Sequence, residues 1–167
     1  MTIHEIRREH WIARPREEVF AFFSEAVNLQ KLTPPWMRFE ILTPPPIRMA
    51  AGTKIAYRIG WRFVRLRWLS EIVEWDPPQQ FVDVQLRGPY ALWHHTHSFI
   101  EERGGTRITD IVRYRLPWGI IGSAVHRFTV ARDLDTIFDY RATQIATLLD
   151  VNGADTAAPT IADASDH

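Results

Sequence analysis

The stretch that most limits what this chain can fold into lies near its middle. Gly88-Pro89-Tyr90-Ala91-Leu92-Trp93-His94-His95-Thr96-His97-Ser98-Phe99 and Thr106-Arg107-Ile108-Thr109-Asp110-Ile111-Val112-Arg113-Tyr114 are two strand-like runs joined by Glu102-Arg103-Gly104-Gly105. They read as one long β-hairpin. Side chains alternate between faces with a period of two, so Trp93, His95, His97 and Phe99 share one face. Ile108, Asp110, Val112 and Tyr114 share the facing one. A face built only for packing has no need of two histidines and a carboxylate, because each must find a partner or water once buried. The expectation is that this face lines a cavity.

The rest of the chain supplies the other parts of such a fold. Ile3 to Ala13 is strand-compatible, and Pro15 then sits where a helix tolerates it, with Glu17 and Glu18 in the favourable first turn. Val19, Phe20, Phe22 and Phe23 are dense enough to be buried, and Glu25 to Lys31 makes a second helical piece that Pro34 and Pro35 stop. Strand texture follows at Met37 to Leu42, Thr53 to Ile59, Arg62 to Trp75 and Phe81 to Leu86, ahead of the hairpin. Pro44 to Pro46, Gly52, Gly60, Asp76-Pro77-Pro78 and Gly88-Pro89 separate these runs at spacings suited to an antiparallel meander. After Gly119 the period turns helical. Leu134, Phe138, Arg141, Ile145 and Leu148 form one stripe, which predicts a helix from about Ser123 to Leu149 laid on the sheet. Residues 1–149 therefore read as one α+β domain of order β-α-α-β6-α, a curved antiparallel seven-stranded sheet around a C-terminal helix with an internal cavity. The tail, 150–167, is rich in Ala, Asp and Thr without aromatics or period, and is expected to be disordered.

Composition removes several classes of function. Twenty basic and twenty acidic side chains cancel over 167 residues, so no global field attracts a polyanion and no nucleic-acid partner is expected. There is no cysteine, which excludes disulfides, cysteine nucleophiles and thiolate metal sites. No apolar run has the length of a membrane span and Met1 to Trp11 has no signal-peptide pattern, so a cytoplasmic protein is expected. Seven Trp, nine Phe and four Tyr are more rings than a domain of this size ordinarily carries, and rings wall hydrophobic pockets as well as fill cores.

The element order, with Asp76-Pro77-Pro78 before a strand, Gly88-Pro89-Tyr90 opening the next, Trp-x-His-x-His-x-Phe at Trp93 to Phe99 and Gly104-Gly105-Thr106-(x)3-Asp110, resembles the SRPBCC superfamily, the START-like helix-grip fold. Its relatives include pollen-allergen-like proteins, lipid carriers and polyketide cyclase/dehydrases. The resemblance covers residues 1–149 and implies a deep apolar cavity between sheet and C-terminal helix. It implies a small hydrophobic molecule as partner and names no substrate.

Within that cavity, Trp68, Trp93, Tyr114 and Phe138 are expected as walls. Phe81, Asp83 and Gln85 share the cavity side of their strand by alternation, as do Leu66, Trp68, Ser70 and Ile72 on the strand before. His95, His97, Asp110, Asp83, Gln85 and Arg141 form the expected polar end. Arg141 is anomalous on an apolar stripe. Either it clamps the helix to the sheet through Asp110 or Asp83, or it joins His95 or His97 in reading a carboxylate, carbonyl or hydroxyl on a ligand. If the protein is an enzyme, His97 or His95 is the acid/base of a cyclase or dehydratase and Asp110 orients it. A protein-interaction module without a ligand is the third alternative. His95, His97 and Asp110 also have the ligand types of a two-histidine, one-carboxylate metal site, yet strand His-x-His pairs occur without metal, and neither metal nor cofactor is expected. His94 should face solvent. Arg65, Arg67, Arg113 and Arg115 have outer-face parity, and Pro117 to Val125 reads as a cavity lid or docking patch.

Overall fold

The structure, a computed structural model, describes residues 3–61, 63–117 and 129–154. Seven strands make one antiparallel sheet: β1 (His4–Ile12), β2 (Glu40–Ile41), β3 (Lys54–Trp61), β4 (Val64–Asp76), β5 (Gln80–Arg87), β6 (Leu92–Glu102) and β7 (Gly105–Arg115). Their spatial order is β1-β7-β6-β5-β4-β3-β2, so β2 to β7 form the expected meander and β1 is added beyond β7. That last pairing runs from His4 opposite Tyr114 to Ile12 opposite Thr106.

Between β1 and β2 the chain makes α1 (Arg16–Ser24), α2 (Asn28–Lys31) and a 3-10 turn at Pro35–Met37. Pro15 lies just outside α1 at φ −56°, pre-set for helix entry, and Glu17 and Glu18 occupy the first turn. Phe20 and Phe23 are buried, each with its ring centroid 5.3 Å from that of Phe99 on β6, which fastens α1 beneath one end of the hairpin. The strand expected over Met37 to Leu42 shrinks to two residues. Met37 still belongs to the 3-10 turn, and Arg38 takes a left-handed φ of 44° that no strand can contain.

The C-terminal helix, α3 (Ala131–Ala154), buries Leu134, Phe138 and Ile145 of the predicted stripe; at its end Leu149 is buried and the expected Leu148 only partly so. Each such side chain contributes roughly 1.5–3 kcal/mol by leaving water. The helix runs past the expected end at Leu149, so the first residues of the expected tail are helical. The predicted helix start at Ser123, the lid expected beyond Pro117, and the tail from residue 155 onward lie outside the described residues.

The central hairpin closes as a two-residue turn: Glu102 pairs with Gly105, leaving Arg103 and Gly104 at φ 54° and 74°. Positive φ at both central positions is the type I′ turn, whose twist matches the strands it joins. Gly105 answers a different need, because a β-carbon there would overlap the Ile12 carbonyl oxygen and the Trp11 ring on β1. Arg103 is the weak element, a branched-free but bulky side chain in a conformation that Asn and Gly adopt at lower cost. Arg103→Asn is therefore expected to stabilise the protein by about 0.5–1 kcal/mol. An unchanged or lowered urea midpoint would contradict this reading of the turn.

Candidate functional site

The concave face of the sheet and α3 enclose a cavity of about 580 Å³. Its walls come from clean period-two stripes: Ile55, Tyr57, Ile59 and Trp61 on β3, then Leu66, Trp68, Ser70 and Ile72 on β4. Trp68 and Trp93 meet edge to face with centroids 5.1 Å apart, and Tyr57 stacks on Trp68 at 5.8 Å. The Trp68 Nε1–H donates to Ser70 Oγ at 3.0 Å, and the same oxygen lies 3.2 Å from the Tyr57 hydroxyl. These polar tips are thereby satisfied inside an apolar wall. Phe138 closes the helix side.

Of the residues expected to line the cavity, Trp68, Phe81, Asp83, Trp93, His95, His97, Phe138 and Arg141 do so. Three do not. Tyr114 is 1% exposed and packs behind the lining, with its ring 6.2 Å from Trp93. Asp110 is likewise 1% exposed, in a layer behind the two histidines. Gln85 lies beyond the last residue of β5 that pairs with β6, Val84. Its amide instead holds the β5–β6 connection, donating from Nε2 to the Tyr90 carbonyl at 2.6 Å and accepting the Tyr90 N–H at 3.2 Å.

The polar floor is a four-membered cluster set by the registers of three strands. Asp83 on β5 is opposite His95 on β6, and His97 on β6 is opposite Asp110 on β7. Asp110 Oδ1 lies 3.0 Å from His95 Nε2 and 2.7 Å from His97 Nδ1, the second contact lying off the hydrogen-bond direction. On the cavity side, Asp83 Oδ2 lies 3.2 Å from His97 Nε2 and 3.7 Å from His95 Nδ1. The imidazoles stand 3.8 Å apart, and His97 stacks on Phe81 at 4.2 Å. Each carboxylate thus faces both rings, Asp110 from behind and Asp83 from the cavity.

Burial and the charge of His97 pull the His95 imidazole down to about 4, against the hydrogen bond to Asp110. Burial also opposes a charge on His97, but Asp110 and Asp83 outweigh it and hold that ring above the ordinary histidine value. Burial would raise both carboxyls. The histidines overcome it, keeping Asp110 well below and Asp83 below the usual range. Near neutral pH the cluster therefore holds two carboxylates and a neutral His95, with His97 more readily charged than an ordinary histidine. Asp83, His95 and His97 also have ligand atoms within 4.8 Å of one another. The carboxylate facing the cavity beside the histidines is thus Asp83 rather than Asp110.

The expected clamp between Arg141 and Asp110 or Asp83 is not formed: both carboxylates are turned to the histidines. Arg141 reaches the cavity with its Nε buried and without a hydrogen-bond partner, its guanidinium carbon 5.9 Å from the Phe138 ring centroid. Tyr57 and Trp61 were not among the residues expected at the site. The alternation of β3 carries the signal for Tyr57 and Trp61, since every odd residue from 55 to 61 is apolar or aromatic. His94 is half-buried rather than fully solvated. On the outer face Arg113 pairs with Glu5 and Arg65 with Glu40, at 2.9 and 3.5 Å. Among the described residues no helix is long and apolar enough to cross a membrane.

The chain matches no protein-family model and no curated protein. Solved structures do match. The Zhui aromatase/cyclase of a Streptomyces species superposes with a TM-score of 0.74 at 11% identity, over 95% of this chain and 100% of that one. Ara h 8.0201 gives 0.62 at 16% identity, over 90% and 100%. A nucleoside-diphosphate sugar epimerase from Corynebacterium glutamicum gives 0.66 at 27% identity, over 89% of this chain but 30% of the epimerase. The sheet order, the helix across its concave face and these superpositions define a helix-grip protein. The architecture is the helix-grip fold that the sequence resemblance implied.

Proposed function

We propose that the chain binds a small, largely hydrophobic molecule with one acidic or strongly accepting group, its body between Trp68, Trp93 and Phe138 and its head at Arg141. The observation that carries this is Arg141, which lines an apolar cavity of ligand size with its Nε buried and without a hydrogen-bond partner, the Asp83 carboxylate of the same cavity being turned to the histidines. A buried arginine ordinarily has a carboxylate partner, and here a ligand supplies the missing acceptor. The likeness to an aromatase/cyclase fold and to Ara h 8.0201 supports a cavity put to use rather than one left over from folding.

The test compares dodecanoic acid with dodecanol, matched in chain and different in head, by competition against a fluorescent apolar probe. The acid should bind at least about tenfold more tightly, the scale of one hydrogen bond to a charged group. Arg141→Met should abolish that preference while leaving the alcohol bound. Equal affinities in the wild type, or a preference that survives in Arg141→Met, would overturn the reading. The cyclase or dehydratase alternative draws on the neutral His95 hydrogen-bonded to Asp110, an arrangement suited to acid/base work in a dry cavity. Conversion of a bound polyketide-like chain, lost in His95→Ala, would put that alternative first.

A further inference from the structure

We propose that His95 Nδ1, His97 Nε2 and Asp83 Oδ2 form the protein side of a site for one divalent transition-metal ion, its remaining coordination positions open to the cavity. Three independent features of the cluster carry the inference. The first is size. Asp83 Oδ2 lies 3.2 Å from His97 Nε2 and 3.7 Å from His95 Nδ1. These separations bracket the edge of roughly 3.4 Å that a tetrahedron has when its metal–nitrogen and metal–oxygen bonds are about 2.1 Å.

The second feature is orientation. A metal-bound imidazole usually has its other nitrogen fixed by a carboxylate or carbonyl behind it. Here Asp110 Oδ1 fixes the remote nitrogen of His95 by a hydrogen bond of 3.0 Å and also lies 2.7 Å from the remote nitrogen of His97, off its hydrogen-bond direction. The near nitrogens of both rings are left on the Asp83 side, within 4.8 Å of one another and of its carboxylate oxygen. The third feature is placement: Asp83, His95 and His97 line the cavity while Asp110 does not. The set is thus divided into three ligands on the open side and one orienting group in the wall. Packing alone supplies no reason for this division.

The chemistry selects the ion class. Two imidazoles and one carboxylate suit zinc, cobalt, nickel or iron(II) better than magnesium or calcium, which prefer all-oxygen shells. A doubly charged ion is balanced by the Asp83 and Asp110 carboxylates. Arg141 also reaches the cavity, and its charge remains available to an anionic ligand head. The inference stands apart from the ligand proposal, since an apolar molecule can occupy the cavity with or without the ion.

The test uses the full chain with any affinity tag removed, stripped with EDTA and dialysed free of it. Titration with cobalt(II) should give one ion per chain with visible d–d bands, and zinc(II) should displace it. Asp83→Asn and His97→Gln should each weaken binding by at least tenfold. Asp110→Asn, with all three ligands kept, should weaken it by about ten- to a hundredfold. Metal should raise the melting temperature of the wild type and leave that of Asp83→Asn unchanged. No stoichiometric cobalt binding by the wild type at about 100 µM metal, far above what such a site requires, would overturn the proposal. So would undiminished binding in Asp83→Asn and His97→Gln, which would place the ion on exposed histidines. The wild-type titration decides even if a variant fails to fold. Dodecanoic acid binding measured in EDTA reports on the cavity separately.

Discussion

Asp110→Ala is expected to lower the stability of the metal-free protein by about 3–5 kcal/mol, the scale on which removing one partner strands a buried charge. Asp110 is 1% exposed, and its Oδ1 serves both His95 and His97. Alanine would leave His97 with Asp83 alone and His95 Nε2 with no acceptor, in a layer that water does not reach. The neighbours offer no rescue: His95 and His97 side chains are 6% and 4% exposed, and Phe81 and Phe23 pack against the His97 ring. Asp110→Asn separates charge from shape, because the amide still accepts one hydrogen bond. It should cost less than alanine. Urea unfolding of the three proteins in EDTA checks this. A loss below about 1 kcal/mol for alanine would mean that the cluster is hydrated and contributes no buried network.

The second large effect is on the pH profile, also in EDTA. His95 has a folded value of about 4 against an ordinary 6.5, so between those values the unfolded chain takes up a proton that the folded protein refuses. Stability therefore falls as pH drops through that window, by roughly 3 kcal/mol at its lower end. His10, also held below its ordinary value by burial, acts in the same direction. His97 has the opposite sign. Its folded value is raised, so its contribution is complete below 6.5 and is lost as pH climbs through the folded value. Asp83 and Asp110, both depressed, contribute above 3.8 and lose that contribution only in stronger acid. The windows do not overlap, and the maximum should sit near pH 6.5. His95→Gln should flatten the limb on the acid side, and His97→Gln the one on the alkaline side. A wild-type curve flat from pH 4 to 8 would contradict the opposed shifts of the two histidines.

The sheet was legible because its strands obey a period of two over long runs. Trp93, His95, His97 and Phe99 face the interior together, and that single parity fixes Asp83 and Phe81 through the next register. Depth was not legible. Alternation separates two faces but not the first layer of one face from the second, so Asp110 and Tyr114 carried the same signal as residues that touch the cavity. Gln85 failed for a related reason: β5 outlasts its pairing with β6, and past that point a side chain of inward parity serves a turn. Arg141 was the instructive case. Its place on the α3 stripe marked it as anomalous, and the need for a partner pointed to Asp83 or Asp110. The histidines satisfy those carboxylates first, since they are fixed opposite them by strand register while Arg141 approaches from a separate element.

The closure of β1 onto β7 has a bearing on how the protein comes into being. Residues 4–12 wait for residues 106–114, the far edge of a meander that must be laid down strand by strand. Contacts so distant along the chain form slowly, and until they do β7 presents an unpaired edge of eleven residues. That edge strand is the one that bears Asp110. A chain whose first strand is nicked or slow to dock would lose the backing of its cavity floor and expose a template for pairing with other copies. Loss of binding and aggregation would then share one origin.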